Sequence, residues 1–261
     1  MTQDILLDVG EDLIRLAVLE DGQTVGFDLE RDPTHGQIGS IYRGKVTQVL
    51  PGLQAAFVDL GVAGAGFLHA RDAYPISYDA NGDPLPDKGA TPRIEHTIRQ
   101  GQELTVQIVR EANGDKGPRV TTRWTLPGHA VMLLPNSHSI GVSRRIRDPE
   151  RRTLFYLLAK KHLPESSGLV IRTAAESVSA DAIVAEISRL EAVRKKITAA
   201  ERKGAVPRLL HAENGLFDRV LREYRHSGIH QLTVNNTEWY ELLREAFADV
   251  DPVWALKVRL H

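Results

Sequence analysis

The segment Gly39 to Ala70, GSIYRGKVTQVLPGLQAAFVDLGVAGAGFLHA, leaves the chain few folding options. It predicts three short strands, each closed by its own turn. Ile41 to Leu50 alternates and is β-branched up to Pro51-Gly52, and Leu53 to Leu60 stops at Gly61. A third run around Gly66-Phe67-Leu68 follows a glycine-rich link. Strands this short, punctuated by Gly and Pro, imply a meander or small barrel. Phe57 and Phe67 fall on neighbouring strands, with Arg43 and Lys45 close in sequence. Two readings follow. The rings form an aromatic platform bordered by positive charge, which suits single-stranded nucleic acid, or they are core.

At 261 residues the chain is too long for one small barrel and allows one large domain or two to three small ones. Apolar content of 42% and charged content of 26% are ordinary for a globular protein. A net charge of −1 means that any nucleic-acid site must be a local patch. The absence of cysteine excludes disulfides and thiolate metal sites and fits a reducing cytoplasm, the expected location. The acidic start MTQDILLDVGED does not read as a signal peptide, and no window approaches the roughly 18 continuous apolar residues of a membrane span.

Strands are expected at Ile5–Val9, Leu13–Leu19 and Thr24–Leu29, the last after the hairpin signal Asp21-Gly22. Asp8 reads as a turn residue. Residues Tyr74 to Pro92 form an expected loop, in which Asp79, Asn81 and Asp83 imitate half of a calcium loop. Pro84 and Ala90 stand where that loop needs Gly and Glu, so calcium is rejected. The barrel resumes at Gln102–Arg110 and turns through Asn113–Gly117. Lys116 lies at that turn, either reaching a phosphate or simply solvated.

Asp148-Pro149 is a cap followed by a first-turn proline, opening a helix to Leu163. Gly168–Ile171 is a buried-type strand. Ala180–Lys203 is a helix with Ile183, Ile187, Leu190 and Ile197 on one stripe, and its segment Arg194-Lys195-Lys196 reads as a solvated face. A helix from Glu213 to His226, a strand at His230–Val234 and a helix at Thr237–Ala248 follow. Trp254–Leu260 alternates like a strand, and a chain ending there looks interrupted.

Taken in order, SIYRGKV, LPGLQAAFVDLG, GFLHA, KGPRVTT, GVSRRI and VIRTAAE resemble the N-terminal part of the ribonuclease E/G family of endoribonucleases, over essentially the whole chain. The resemblance implies an α+β chain. A ribonuclease-H-like subdomain (residues 1–35 and 213–261) is split by an S1 domain, an OB-type β-barrel (36–122), and an α/β 5′-sensor subdomain (123–212). The opening meander also resembles the start of a ribonuclease-H-like sheet.

The resemblance further implies that Phe57 and Phe67 pack against RNA bases, and that Lys116 touches RNA. Arg172 and Thr173 would grip a 5′-terminal monophosphate, through a guanidinium fork and a hydroxyl. Gly128 and Met132 would add main-chain contacts, and Arg144 would flank the pocket. Thr173-Ala174-Ala175-Glu176 also reads as a capping box, and capping and anion binding are compatible. The family's magnesium-binding aspartates and zinc-linking cysteines belong to a DNase-I-like part and its linker, which would begin after WALKVRLH. No cofactor is therefore expected in this chain, and oligomerisation is expected through those later parts. Two functions stay open: the RNA-binding, 5′-monophosphate-sensing part of such an endoribonuclease, or a short non-catalytic RNA-binding regulator on the same scaffold.

Overall fold

A computed structural model describes residues 2–31, 38–62, 64–73, 92–112, 116–163, 167–213, 215–224, 229–248 and 252–261. The loop expected at Tyr74–Pro92, with its calcium-like positions, lies outside the described residues except for Pro92. So do Asn113–Asp115 of the predicted turn and the end of the predicted helix at His226. The chain divides into two compact units: Met1–Gln37 with Asn214–His261, and Ile38–Glu213.

The first unit opens with β1 (Gln3–Val9), β2 (Leu13–Glu20) and β3 (Gln23–Arg31), an antiparallel meander. Asp21 and Gly22 of the β2–β3 turn both take positive φ, as a tight two-residue hairpin connection demands.

In the second unit, β4 (Ile41–Leu50) leads through a 3₁₀ turn to β5 (Ala55–Asp59) and β6 (Gly66–His69). Short α1 (Ile94–Thr97) precedes β7 (Glu103–Arg110) and β8 (Arg119–Thr121). The ring β4-β5-β6-β8-β7 closes because β7 also pairs with β4, over Ile41–Lys45. This five-stranded barrel has the architecture expected of an OB-type fold. Alternation explains its interior: Tyr42, Val46, Ala56, Val58, Leu68, Val106, Ile108 and Val120 point inward and are buried. Burial pushes the Tyr42 phenol above its ordinary pKa. Gly44 leaves room for the closure, since a Cβ there would lie 2.6 Å from Val58 and 2.8 Å from the Asp59 carbonyl.

The same unit continues with β9 (Leu126–Pro127), β10 (Val131–Leu134), β11 (Ile140–Val142), α2 (Pro149–His162), β12 (Gly168–Ile171), α3 (Ala180–Glu201) and β13 (Arg208–His211). Strands β11-β12-β10-β9 make a second sheet, while β13 joins the barrel sheet against β4. The second core gathers Leu133, Leu169, Ile171, Phe155, Ile183, Ile187 and Leu190, and takes in Ile41 from β4. Buried Gln107 stitches this sheet to the barrel. Its amide donates to the Gly39 and Thr125 carbonyls and its oxygen accepts from Thr125 N–H. Asp148 caps α2 as expected, accepting from the Glu150 and Arg151 amides.

Arg194 departs from its expected solvated face. Both its Nε and Nη2 reach the Glu191 carboxylate at 2.6 Å, and that hydrogen bond raises the guanidinium pKa. Its neighbour Lys195 does stay largely exposed.

The chain then returns to the first unit with α4 (Leu216–Tyr224), β14 (Gln231–Val234), α5 (Thr237–Ala248), α6 (Pro252–Ala255) and β15 (Val258–Leu260). The sheet order is β15-β14-β1-β2-β3, with β14 parallel to both β1 and β15. Ile5, Leu7, Ile14, Leu16, Leu232 and Val234 meet Leu216, Val220, Leu243 and Phe247 of the helices.

The Asn236 side chain caps the start of α5 by accepting from Trp239 N–H. One local expectation fails here. The run Trp254–Leu260 is not one strand: Trp254 sits in α6, stacked 6.0 Å from Phe247 and under the Lys257 ammonium, and only Val258–Leu260 extend. A large ring needed in the core overrides the alternation. Among the described residues no helix is long and apolar enough to cross a membrane.

Candidate nucleic-acid interface

On the outer barrel face, register places Phe57 of β5 directly opposite Phe67 of β6. Both are half-buried, and the rings meet edge to face with centroids 6.0 Å apart. Such a pair holds its own geometry by about 0.5–1.5 kcal/mol. The inward neighbours Ala56, Val58 and Leu68 carry the barrel core, so the two rings stand on the side left to solvent.

Beside Phe67 in register stands Arg119 of β8, a residue that sequence reasoning passed over. It is aimed by buried Asp72, which accepts from Arg119 Nε and Nη2 at 2.9 and 2.7 Å and from Arg123 Nη2 at 3.0 Å. Lys45 of β4 is exposed and stands opposite Asp59 in the strand register.

Lys116 is exposed beside the start of β6. Its position depends on glycine: a Cβ at Gly117 would lie 2.0 Å from the Ala65 carbonyl oxygen. Phe67 N–H donates to the Pro118 carbonyl at 2.7 Å and completes that attachment.

Arg43 is not brought to the phenylalanines. It pairs in register with Thr105 and Arg208, its Nη1 donates to Thr105 Oγ1, and Glu103 lies 3.6 Å away. There it lines an open cavity of about 750 Å³ with Arg123, Trp124 and His138.

The second cluster is built around the β9–β10 turn. Arg172 follows β12 and addresses three successive carbonyls of that turn. Its backbone N–H donates to Ala130 at 2.7 Å, and its Nη1 to Gly128 at 2.5 Å and His129 at 3.3 Å. Its Nε and Nη2 have no hydrogen-bond acceptor among the described residues.

The Thr173 hydroxyl lies 3.0 Å from Ser143 Oγ. Thr173 is the first residue of a 3₁₀ turn whose N-cap is Arg172, and no side chain caps it, so the expected capping box is not formed. The hydroxyl goes to Ser143 instead. Ser143 belongs to the GVSRRI segment, where the paired arginines drew attention away from it.

Arg152 of α2 holds that segment in place by donating to the Val142, Ser143 and Ile146 carbonyls. Arg144 is exposed on the same loop. The Gly128 amide donates to the Val131 carbonyl, and its own carbonyl receives Arg172. Met132 is half-buried between Pro127 and Val170 in the ladder.

The amides of the turn are also taken. His129, Ala130 and Val131 N–H donate to the carboxylate of Glu186 on α3, at 2.6, 2.8 and 3.1 Å. Glu186 is buried, on the same stripe as Ile183, Ile187 and Leu190. A carboxylate interrupting an apolar stripe was the signal available in the sequence. No group of three or more His, Cys, Asp or Glu placed to hold a metal ion occurs among the described residues.

A model of the Ribonuclease E/G family matches residues 125–261. The chain is 34% identical over 259 residues to ribonuclease G of Escherichia coli strain K12, a match covering 99% of this chain and 53% of that protein. Ribonuclease G of Haemophilus influenzae is 31% identical over 259 residues, covering 99% and 52%. Ribonuclease E of Escherichia coli K12 is 36% identical over 258 residues, covering 95% and 23%. The chain thus spans about half the length of these ribonuclease G relatives and a smaller share of ribonuclease E.

Proposed function

Because the chain belongs to the ribonuclease E/G family, we propose that it is the RNA-capturing and 5′-monophosphate-recognising part of a ribonuclease E/G-type endoribonuclease in RNA processing and decay. The barrel face with Phe57, Phe67 and Lys116 holds single-stranded RNA by stacking and phosphate contact. Lys45 and Arg119 add charge at its rim. The cluster of Arg172, Thr173 and Ser143, flanked by Arg144, takes the terminal phosphate. Hydrolysis is assigned to the family's DNase-I-like part.

One observation carries the phosphate assignment: Arg172 is anchored through one side-chain nitrogen and its backbone, while Nε and Nη2 have no acceptor among the described residues. A guanidinium held by one edge presents the other edge as a planar fork matching two phosphate oxygens, and ionic hydrogen bonds of this kind are worth roughly 1.5–3 kcal/mol. The hydroxyl pair Thr173–Ser143 supplies a third donor beside it.

The test is binding of 3′-labelled single-stranded RNA of one sequence, carrying a 5′ monophosphate, triphosphate or hydroxyl. The monophosphate is expected to bind about tenfold more tightly than the hydroxyl form, and all three should weaken as salt rises. Equal affinity for the three ends overturns the end-recognition assignment and leaves the barrel assignment standing.

A further inference from the structure

The turn Gly128–Val131 has its polar groups divided between two side chains from different elements. Its carbonyls at Gly128, His129 and Ala130 face Arg172. Its amides at His129, Ala130 and Val131 face the carboxylate of Glu186. Three converging amides form an anion-binding concavity, and here an internal carboxylate fills it. Buried charge is tolerated only when hydrogen-bonded and balanced. The three amides do this from one side, and Arg189 Nη2, at 3.8 Å, stands on the other.

Gly128 makes the arrangement possible. A Cβ there would lie 2.6 Å from the Glu186 carboxyl carbon and from its Oε1, and 2.9 Å from the Val131 carbonyl. The close packing leaves the turn one position relative to α3, and that position sets where its carbonyls can receive Arg172.

We infer that Glu186 is a positioning residue of the end-recognition site: its carboxylate fixes the turn, and the turn aims the Arg172 fork. The inference rests on the end-recognition reading above. It assigns Glu186 no contact with RNA. The carboxylate is consumed by the turn, and a second anion near it would be repelled. Specificity for the terminal phosphate therefore depends on a side chain that never touches it.

Glu186→Gln keeps shape and volume but turns one acceptor oxygen into an NH₂ group facing amide donors. In this variant the preference for monophosphate over hydroxyl RNA should fall about tenfold. Affinity for hydroxyl RNA, which reports the barrel face, should stay within about twofold of wild type. A general loss of folding would lower both together. In parallel, the backbone amides of His129, Ala130 and Val131 should lose hydrogen-exchange protection in the variant.

Gly128→Ala displaces the same carboxylate without altering its charge, and it should give the same selective loss if Glu186→Gln does not fold. Either folded variant retaining the wild-type preference overturns the inference, as do unchanged exchange rates at the three amides. A wild-type protein without end preference sinks the end-recognition reading itself, and the positioning role with it.

Discussion

The barrel face and the β9–β10 turn, the two surfaces on which the proposed function rests, are built in opposite ways. On the barrel, strand alternation sends one set of side chains inward to Ile108 and Val120 and leaves Phe57 and Phe67 outside. The functional groups there are side chains on an ordinary surface, and their neighbours are largely indifferent to them. At the turn, backbone groups are the scaffold, and Arg172 and Glu186 divide them between themselves. A surface of the first kind can be altered one residue at a time. One of the second kind fails as a unit, because each member satisfies groups that would otherwise be buried unpaired.

That contrast can be broken or sharpened by substitution. Phe57→Ala with Phe67→Ala should have the largest effect, about 1–3 kcal/mol for each base that loses its stacking partner. The loss should be equal for monophosphate and hydroxyl RNA, as read by titration of both. Gly117→Ala forces the Lys116 segment off the Ala65 carbonyl and should cost about 2 kcal/mol of stability in denaturant unfolding, with RNA affinity falling alongside. Arg172→Lys keeps the charge but removes the fork. It should weaken monophosphate RNA about tenfold, roughly 1.4 kcal/mol, and leave hydroxyl RNA unchanged. Lys116→Ala should be the mildest, weakening all RNAs slightly and reducing the slope of log affinity against log salt by about one. If Phe57 and Phe67 prove sensitive to the 5′ end, or Arg172 insensitive, the division of labour is wrong.

The barrel was largely legible in the sequence because its signals are local. Alternation in Ile41–Leu50, the Pro51-Gly52 stop and the spacing of Phe57 from Phe67 each depend on a handful of adjacent residues. What could not be read was how distant strands meet. Arg43 precedes Lys45 by two residues, and nothing local says that β7 and β13 will pair with it on either side. Asp72 and Arg119 lie far apart in sequence, and two Arg119 nitrogens reach one Asp72 oxygen only once β8 lies beside β6.

At the turn, Arg172 and Thr173 stand out through the resemblance of VIRTAAE, whereas Ser143, which meets Thr173, and Glu186, which holds the turn amides, do not. Ser143 looked like an ordinary loop residue, and Glu186 was hidden because helical stripes are read by their apolar members. Local capping rules misled at Thr173, whose hydroxyl meets Ser143 instead.

The parallel pairing of β1 with β14, from Asp4–Gln231 to Leu7–Val234, sets an order of events during synthesis. The meander β1–β3 is made before the barrel, yet the helices that cover its apolar face and the strand that completes its edge are made after it. Until then Ile5, Leu7 and Leu16 have no partners, and β1 presents an unpaired edge that invites association with other chains. The barrel closes through contacts nearer in sequence and pays less loop-closure entropy, so it should fold first on the ribosome while the opening strands wait. The opening strands are thus secured only after the barrel that follows them.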